Sequence, residues 1–372
     1  MSKGVLITGG AGFIGSHLAD ALLQRGHKVR VLDNLDPQVH GDGQRRPDYL
    51  DPEVELLVGD VRDATAVRKA LEGVDTVFHL AAKVGVGQSM YEVENYTDVN
   101  NRGTAVLLEA LIQRPVERLV VASSMSIYGE GLYRDAEGRI VAGTDRTLEQ
   151  LKLRQWEVMD QGGNALTPIP TPESKAPTLA SVYALSKYDQ ERLCLLIGRA
   201  YGIPTVAMRF FNVYGTRQAL SNPYTGVLAI FASRLLNNNA PLVNEDGEQR
   251  RDFVSVLDVA QACILAMENA PAVAGQVFNV GSGRNYTVME VGRRLAEVLG
   301  RDLAPEVTGK YRVGDIRHCF ADISSTRSLL GYEPKVQLED SLIELAQWLE
   351  GQIAVDRVQQ AAAELSQRGL TV

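Results

Sequence analysis

A tyrosine and a lysine stand four residues apart in the sequence SVYALSKYDQE, as Tyr183 and Lys187. In a helix this spacing places both side chains on one face. A free phenol has a pKa of about 10, so it acts as a base near neutral pH only when its anion is stabilised. A neighbouring ammonium supplies such stabilisation, which makes Tyr183 a candidate for removing a proton from a sugar or alcohol hydroxyl. The alternative is an exposed pair on a helix surface.

Three serines follow a predicted buried strand at residues 118–122, in the sequence ASSMSIYGE. Hydroxyls at the end of a core strand either satisfy local backbone groups or face a ligand. Together with the tyrosine and lysine, they favour the second reading. We therefore expect the serines to face a bound substrate, with one hydroxyl holding the reacting oxygen and relaying its proton.

A glycine-rich turn in VLITGGAGFIGSHLADALL places Gly9, Gly12 and Gly15 between a predicted strand at 4–8 and a predicted helix at 13–25. Glycine allows a tight turn and lets backbone N–H groups approach a pyrophosphate closely. The helix N-terminus adds about half a positive charge facing it. This context predicts a dinucleotide site.

Two aspartates follow the next predicted strands. Asp33 ends the second strand, 24 residues beyond Gly9. Its carboxylate can accept hydrogen bonds from ribose hydroxyls and would repel a 2′-phosphate, so NAD is favoured over NADP. Asp60 follows the third strand, where the adenine should lie. The alternative is that Asp33 starts a loop or caps a helix and that Asp60 is a turn residue.

Short apolar strands alternate with helices, which indicates an α/β fold with a doubly wound parallel sheet. We expect a smaller C-terminal substrate-binding domain interleaved with the first. The predicted organisation is an NAD-binding domain at 1–209 with an irregular, polar insert at 131–180, a mainly substrate-binding domain at 210–345, and a helical tail at 346–372. Further predicted strands lie at 28–32, 54–58, 75–80 and 204–209, and further helices at 101–113 and 181–200.

The composition limits the classes of partner. The 372 residues are 45% hydrophobic, enough for a large core, and the formal net charge of −8 without a basic tract argues against nucleic acid or anionic membrane as a partner. Cysteines at 194, 263 and 319 and five histidines show no metal-ligand spacing, so no metal is expected. Without a signal peptide or a long apolar run, a cytoplasmic location is expected.

Several longer motifs resemble those of the extended short-chain dehydrogenase/reductase family, specifically its NAD-dependent nucleotide-sugar epimerases and dehydratases. The resemblance extends to about residue 345 and rests on TGGAGFIGSH, HLAAKVGVGQS, NNRGT, SSMSIYG, RFFNVYG, RRDFVSVLDVA, FNVGSG and RVGDIRHCFAD. Within the family, VGVGQSMY, RQALSNPYTGVLAIF and TPIPTPE are most similar to 4-epimerases of the dTDP-L-rhamnose and UDP-glucose types. The resemblance implies NAD as cofactor, a nucleotide-diphosphate sugar as substrate, and a homodimer formed through the helices at 101–113 and 181–200.

The resemblance also implies roles for individual residues. The catalytic group is Ser124, Tyr183 and Lys187. The implied cofactor contacts are Gly9, Gly12, Phe13, Ile14, Gly15, Asp33, Asn34, Asp60, Val61, Leu80, Ala81, Ala82, Asn100, Tyr183, Lys187 and Phe210. The implied substrate contacts are Val84, Gln88, Ser124, Ser126, Asn212, Arg251, Arg312 and Asp315. Two guanidiniums can bind a diphosphate through paired hydrogen bonds, although either arginine alone is more often a surface charge.

The residues after Ser124 discriminate among reactions. Family dehydratases carry Asp-Glu there and decarboxylases a Glu, whereas this chain has Met125 and Ser126. Without that acid/base pair, reversible oxidation at C4 is favoured, which predicts a 4-epimerase. A dehydratase, a decarboxylase, a 4-ketoreductase and a non-catalytic NAD-sensing protein stay as alternatives.

Two positions depart from the family pattern. The insert of such relatives often carries Cys-Pro-x-Cys-Gly, but EVMDQGGN has no cysteine. Lys83 stands one position before the lysine that touches the nicotinamide ribose in many 4-epimerases, and Val84 occupies that place. The insert at 131–180 is expected either to cover the cleft or to meet a partner.

Overall fold

The computed structural model describes residues 4–42, 44–222, 224, 226–312, 315–352 and 356–371. Its strands are β1 (Gly4–Thr8), β2 (Lys28–Asp33), β3 (Glu55–Val58), β4 (Thr76–His79), β5 (Arg118–Ser124), β6 (Leu132–Arg134), β7 (Ile140–Ala142), β8 (Thr167–Ile169), β9 (Thr205–Phe210), β10 (Asn212–Tyr214), β11 (Leu242–Val243), β12 (Arg250–Arg251), β13 (Phe253–Ser255), β14 (Val277–Val280), β15 (Tyr286–Thr287), β16 (Glu306–Val307) and β17 (His318–Cys319).

The helices are α1 (Phe13–Leu23), α2 (Pro37–His40), α3 (Ala64–Ala70), α4 (Val86–Ser89), α5 (Val93–Tyr96), α6 (Gly103–Gln113), α7 (Leu148–Lys152), α8 (Val182–Tyr201), α9 (Val227–Leu236), α10 (Val256–Asn269), α11 (Val288–Val298), α12 (Ser324–Leu330), α13 (Leu338–Leu349) and α14 (Val358–Gln367). A π-helical turn (Thr97–Arg102) joins α5 to α6, and a 3₁₀ turn (Met125–Tyr128) follows β5.

The central sheet has the strand order β14-β9-β5-β4-β1-β2-β3, and its pairings are parallel. Val5 and Ile7 of β1 belong to the core on the α1 and α10 side, whereas Leu6 belongs to the core on the α3, α6 and α8 side. Two covered faces explain why the strands are apolar throughout. The chain runs from β1 through β2 to β3 and then crosses back to β4 on the other side of β1, so a crevice opens at the carboxyl ends of β1 and β4. The predicted doubly wound α/β fold is confirmed.

The C-terminal half contributes to two regions. Helices α9, α11 and α13 enclose a separate core that includes Phe231, Leu295 and Leu342. Strand β14 extends the main sheet and α10 packs beside α1, although both come after residue 210. The two parts are therefore interleaved along the chain, while the division at residue 209 stays a prediction.

The insert and the tail have regular structure. Residues 131–180 contain a small antiparallel sheet, β7-β6-β8, around Tyr133, Val158 and Leu166, and not another βα unit. The predicted tail helices are α13 and α14. In the part of the chain that the structure describes, no helix is long and apolar enough to cross a membrane.

A buried ion pair joins helix α8 to the sheet. Arg209 of β9 donates to both carboxylate oxygens of Glu191, at 2.9 and 2.7 Å, and Ser123 of β5 donates to the same carboxylate at 2.6 Å. These contacts place Ser123 in the core, so the expectation that all three serines face a substrate is wrong for this one. Successive side chains of a strand point to opposite faces of the sheet, so Ser123 and Ser124 cannot both face the same site.

We expect Arg209→Met to lower the free energy of unfolding by about 3–5 kcal/mol, because it leaves the Glu191 carboxylate buried without a counter-charge. The matched control is Arg139→Met, which removes an exposed arginine paired with Asp135 in the insert and should leave stability nearly unchanged. Urea unfolding of both variants checks this. Equal losses of unfolding free energy in the two variants would contradict a stabilising role for the buried Arg209–Glu191 pair.

Candidate active site

The glycine turn lies at the carboxyl end of β1, where the crevice opens. Gly9 has a left-handed φ of 70°, and a Cβ there would lie 2.8 Å from the backbone of Ala81. A Cβ on Gly15 would lie 2.5 Å from the Cα of Gly10, so Gly15 lets α1 pack against the turn. A Cβ on Gly12 would meet only the Gly9 carbonyl, at 3.4 Å. The backbone beside the start of α1 is thus open, which fits a diphosphate approaching N–H groups.

The neighbouring strand completes this side of the crevice. Phe13 and Ile14 form the first turn of α1. Leu80 and Ala81 leave β4 beside β1, and their N–H groups donate to the carbonyl and the hydroxyl of Thr8, at 3.1 and 3.3 Å. Ala82 continues the same segment. The structure therefore brings the predicted diphosphate and ribose residues to one edge of the sheet.

The two predicted acidic residues have different surroundings. Asp33 is 8% exposed and accepts N–H bonds from Ala11 at 3.0 Å and Leu35 at 2.9 Å, so it also anchors the glycine turn. Asp60 follows β3 and is bound by the guanidinium of Arg62 and the amide of Asn34. The hydrogen bond from Arg62 is the main reason why the pKa of Asp60 is lowered. Both carboxylates are therefore held in place from several sides.

Three predicted cofactor residues lie behind the crevice surface. The Asn100 side chain is fully buried in the π-helical turn, where it binds the backbone of Lys83 and the hydroxyl of Ser186. Val61 and Phe210 are buried as well. In this structure these side chains shape the wall, and their predicted contact with a cofactor stays a prediction.

Helix α8 carries the tyrosine and the lysine. Its first turn is capped by Ser181, whose hydroxyl accepts from the Ala184 N–H at 3.1 Å. The Tyr183 hydroxyl is hydrogen-bonded to that of Ser124, at the end of β5. Ser124 also accepts from the Ser126 N–H at 3.1 Å. The structure therefore brings Tyr183 and Ser124 together, as the sequence predicts.

The pKa values of Tyr183 and Lys187 differ from the expectation that a neighbouring ammonium lowers the pKa of the phenol. Burial raises the pKa of Tyr183, and only the hydrogen bond with Ser124 opposes the rise. Burial lowers the pKa of Lys187 to about 8, and its ammonium donates to the amide oxygen of Gln190 at 2.6 Å. The protein alone therefore does not lower the pKa of the phenol, because burial outweighs the hydrogen bond with Ser124.

A neutral hydrogen-bonded chain behind Lys187 was not expected. Gln190 donates to Thr104 at 2.8 Å, and His79 lies between Thr104, at 2.9 Å, and Thr8, at 2.8 Å. Burial lowers the pKa of His79 to about 3, so the imidazole stays neutral. The position of Gln190, three residues after Lys187 on the same helix face, is the signal that could have revealed it.

The predicted diphosphate residues lie on neighbouring segments. The guanidinium of Arg251 donates to the backbone carbonyls of Ile316 and Arg317 and lies 4.0 Å from the Asp315 carboxylate. Arg312 is exposed, and its carbonyl accepts the Asp315 N–H at 3.2 Å. The structure thus places both predicted arginines in contact with the segment at 315–317.

Asn212 connects this group to the end of β9. Its N–H donates to the Asp252 carbonyl at 3.0 Å. Its side-chain oxygen is buried and has no hydrogen-bond partner among the described residues. An unpaired buried acceptor costs free energy, which suits a donor supplied by a ligand.

The loop after β4 carries the other predicted substrate contacts. Val84 is exposed, whereas Gln88 is buried and accepts from the Gln38 amide at 3.0 Å. Lys83 forms an ion pair with Asp36 at 3.0 Å. These contacts join the substrate side of the crevice to the loop after β2. No group of three His, Cys, Asp or Glu residues in the described ranges is placed to hold a metal ion.

The fold and this constellation define a dinucleotide-dependent enzyme of the dehydrogenase type. The profile of the NAD dependent epimerase/dehydratase family matches residues 5–150 and 161–281. The chain belongs to this family, as the motifs predict.

Individual relatives span nearly the whole chain. The dTDP-L-rhamnose 4-epimerase of Burkholderia thailandensis is 36% identical over 352 residues, which cover 93% of this chain and 95% of the relative. The crystal structure of UDP-glucose 4-epimerase from Thermus thermophilus in complex with NAD has a TM-score of 0.74 and 31% identity, and covers 94% of this chain and 100% of that one. The crystal structure of the Thermotoga maritima UDP-glucose 4-epimerase with UDP-glucose also has a TM-score of 0.74 and 31% identity. This match covers 93% of this chain and 98% of that one.

The glycine turn offers a matched pair of variants. We expect Gly15→Ala to lower the free energy of unfolding by about 1–3 kcal/mol, since its methyl group meets backbone atoms. Gly12→Ala should fold normally but weaken NAD binding by about tenfold or more, because the methyl group occupies the open space beside the helix start. Thermal unfolding and titration calorimetry with NAD separate the two effects. The interpretation fails if Gly12→Ala binds NAD as the wild type does.

Burial of Lys187 should make the free energy of unfolding depend on pH. The pKa of Lys187 is lower in the folded protein than in the unfolded chain, so its burial destabilises the fold at neutral pH and this penalty fades as the pH rises above about 8. Relative to Lys187→Met, wild-type stability should therefore rise by on the order of 2 kcal/mol between pH 7 and pH 10. Urea unfolding at both pH values measures this. The exposed control Lys152→Met should follow the wild type, and parallel curves for all three proteins would refute the prediction.

Proposed function

We propose that this protein is an NAD⁺-dependent nucleotide-sugar 4-epimerase. The observation that carries the proposal is the hydrogen-bonded pair of Tyr183 and Ser124, at the same edge of the sheet as the glycine turn, with Met125 and Ser126 next in sequence. Met125 is buried. No carboxylate follows Ser124 to protonate or deprotonate a sugar carbon, which elimination and decarboxylation in this family use. The 4-epimerases among the relatives support the same reading.

The chain's own groups hold the cofactor in this proposal. Backbone N–H groups from Gly12 onward and the start of α1 bind the diphosphate, and Asp33 accepts from the adenosine ribose. When bound, NAD⁺ accepts the hydride from C4 of the sugar and returns it, and its positively charged ring lowers the pKa that burial raises in Tyr183. Lys187 adds a second positive charge.

Tyr183 and Ser124 move the proton in this mechanism. The Ser124 hydroxyl binds the sugar oxygen at C4, and the Tyr183 phenolate takes its proton as the carbon loses hydride and a C4 ketone forms. After the 4-keto sugar has turned, its other face receives the hydride and Tyr183 returns the proton. The hydride and the proton are both returned within one cycle, so the cofactor and Tyr183 end in their starting states.

The nucleotide end of the substrate binds on the far side of the crevice. Arg251 and Arg312 pair with the diphosphate oxygens, and the Asn212 side chain accepts from a donor of the ligand. The substrate is a dTDP- or UDP-hexose, the class named for the relatives. Val84, Gln88 and Ser126 contact the sugar.

A homodimer is part of the proposal. On α8, Leu185 and Leu196 are 47% and 44% exposed. They lie eleven residues apart, about three helical turns, so they share one face. An apolar stripe on a surface helix suits packing against a second copy, and light scattering of the purified protein measures the mass.

The direct test incubates the NAD-loaded protein separately with dTDP-rhamnose, UDP-glucose, UDP-glucuronate and UDP-N-acetylglucosamine. We expect at least one donor to give its C4 isomer, resolved by NMR, without net consumption of NAD(H). Loss of water or CO₂ from a donor, with no isomer formed from any of them, would refute the proposal in favour of a dehydratase or decarboxylase. Stoichiometric oxidation of NADH would indicate a 4-ketoreductase.

We expect Tyr183→Phe to lower kcat by about 10²–10⁴-fold, because the variant loses the proton acceptor but keeps its packing. NAD content should be unchanged. Tyr201→Phe, at the exposed end of the same helix, is the control and should keep full activity. Equal kcat values for the two variants would show that residue 183 is not the base.

A further inference from the structure

The C-terminal segment 356–371, here called the strap, has contacts on both sides of the substrate crevice. Its helix α14 buries Ala361 and Leu365 on one face and exposes Gln359 on another. The family resemblance ends near residue 345, so none of these residues has an assigned role. The partners of the strap therefore indicate what it does.

One end of the strap is fixed to the smaller, C-terminal part. The Asp356 carboxylate accepts from Arg234 at 3.2 Å and Asn239 at 3.0 Å, and it also accepts from the N–H of Val358, the first residue of α14, at 3.1 Å. Arg234 is itself only 5% exposed. This anchor sets where the helix begins and which way it runs.

The middle of the strap packs on the loop after β4. A Cβ on Gly87 would lie 3.3 Å from a methyl group of Leu365, so the two are in contact. The Glu364 carboxylate accepts from the hydroxyls of Tyr91 at 3.1 Å and Tyr224 at 2.9 Å, and these hydroxyls are 2.6 Å apart. One carboxylate thus ties together a loop from each half of the chain.

The loop after β4 also contacts Tyr183, the proposed base. The hydroxyl of Ser89 accepts from the Tyr183 N–H at 3.0 Å. The ring of Tyr96 meets that of Tyr183 edge to face, with 6.4 Å between the ring centroids. Tyr96 in turn donates to Gln88 at 3.2 Å. At the other end of the strap, Thr371 forms a backbone bridge with Arg312. The strap therefore runs from the proposed sugar side to the proposed diphosphate side.

We propose that the strap closes the crevice over the bound nucleotide sugar and retains the 4-keto intermediate while it turns. The inference rests on the proposed function. A 4-epimerase needs such closure, because the ketone must present its second face without dissociating. Escape of the ketone would leave the cofactor reduced and the enzyme inactive.

The first experiment measures nucleotide release and does not depend on catalysis. Radiolabelled UDP or dTDP is bound to the full-length protein and chased with unlabelled nucleotide. We expect Leu365→Ala and Glu364→Ala each to raise the dissociation rate by at least about fivefold, because each removes a contact that holds the strap closed. The control Gln359→Ala, on the exposed face of α14, should match the wild type. Wild-type rates in both test variants would overturn the proposal.

The second experiment measures escape of the intermediate during turnover. With the donor that the wild type epimerises, Leu365→Ala should accumulate reduced cofactor, seen by its near-ultraviolet absorbance, and release 4-keto sugar, trapped by borodeuteride. Wild type and Gln359→Ala should do neither. Retention of the ketone by Leu365→Ala, with faster nucleotide release, would overturn the role in holding the intermediate.

The two proposals fail in distinguishable ways. If the wild type epimerises a donor but the strap variants behave like Gln359→Ala, only the strap proposal is lost. If the wild type epimerises none, the proposed function is lost, and the chase experiment still decides whether the strap holds a nucleotide. Far-UV circular dichroism and bound NAD confirm that each variant is folded.

Discussion

The ion pair between Arg209 and Glu191 is the interaction on which the proposed active site depends. It fixes α8 against β5 and β9 in the interior, where a charge without a partner is expensive. Ser123 completes the arrangement by donating to the same carboxylate. Since Ser124 is the next residue of that strand, the pair determines how close the Tyr183 hydroxyl comes to it. The geometry of the site thus follows from a contact that no ligand touches.

A second buried network supports the substrate side and gives the insert a structural role. Arg317 is fully buried, and its guanidinium donates to Glu157 of the insert as well as to Glu245 and Asp246. The Arg317 carbonyl accepts from Arg251. The insert therefore helps to hold the segment on which the proposed diphosphate-binding arginine rests.

The sequence predicts what depends on local pattern and misses what depends on pairing between distant segments. The glycine turn, the alternation of strands and helices, and the spacing of Tyr183 and Lys187 are each contained in a short window, so they could be predicted. The role of Ser123 depends on Glu191, which is distant in sequence. The π-helical turn at Asn100 has no simple sequence signal, so α6 begins at Gly103 and not at the predicted residue 101. The insert sheet and the strap contacts likewise depend on partners far along the chain.

The neutrality of the groups behind Lys187 has an electrical consequence. The ammonium donates a hydrogen bond to an uncharged amide, and the imidazole beyond that amide is uncharged. The carboxylate of Glu191, one turn further on, is already compensated by Arg209. Among the described residues the ammonium forms no ion pair, although the charge of Glu191 acts on it from a distance, so no adjacent carboxylate cancels its charge. A carboxylate in place of Gln190 would pair with the ammonium and cancel its charge. The lowered pKa of Lys187 is the stability cost of leaving this positive charge uncompensated in the interior.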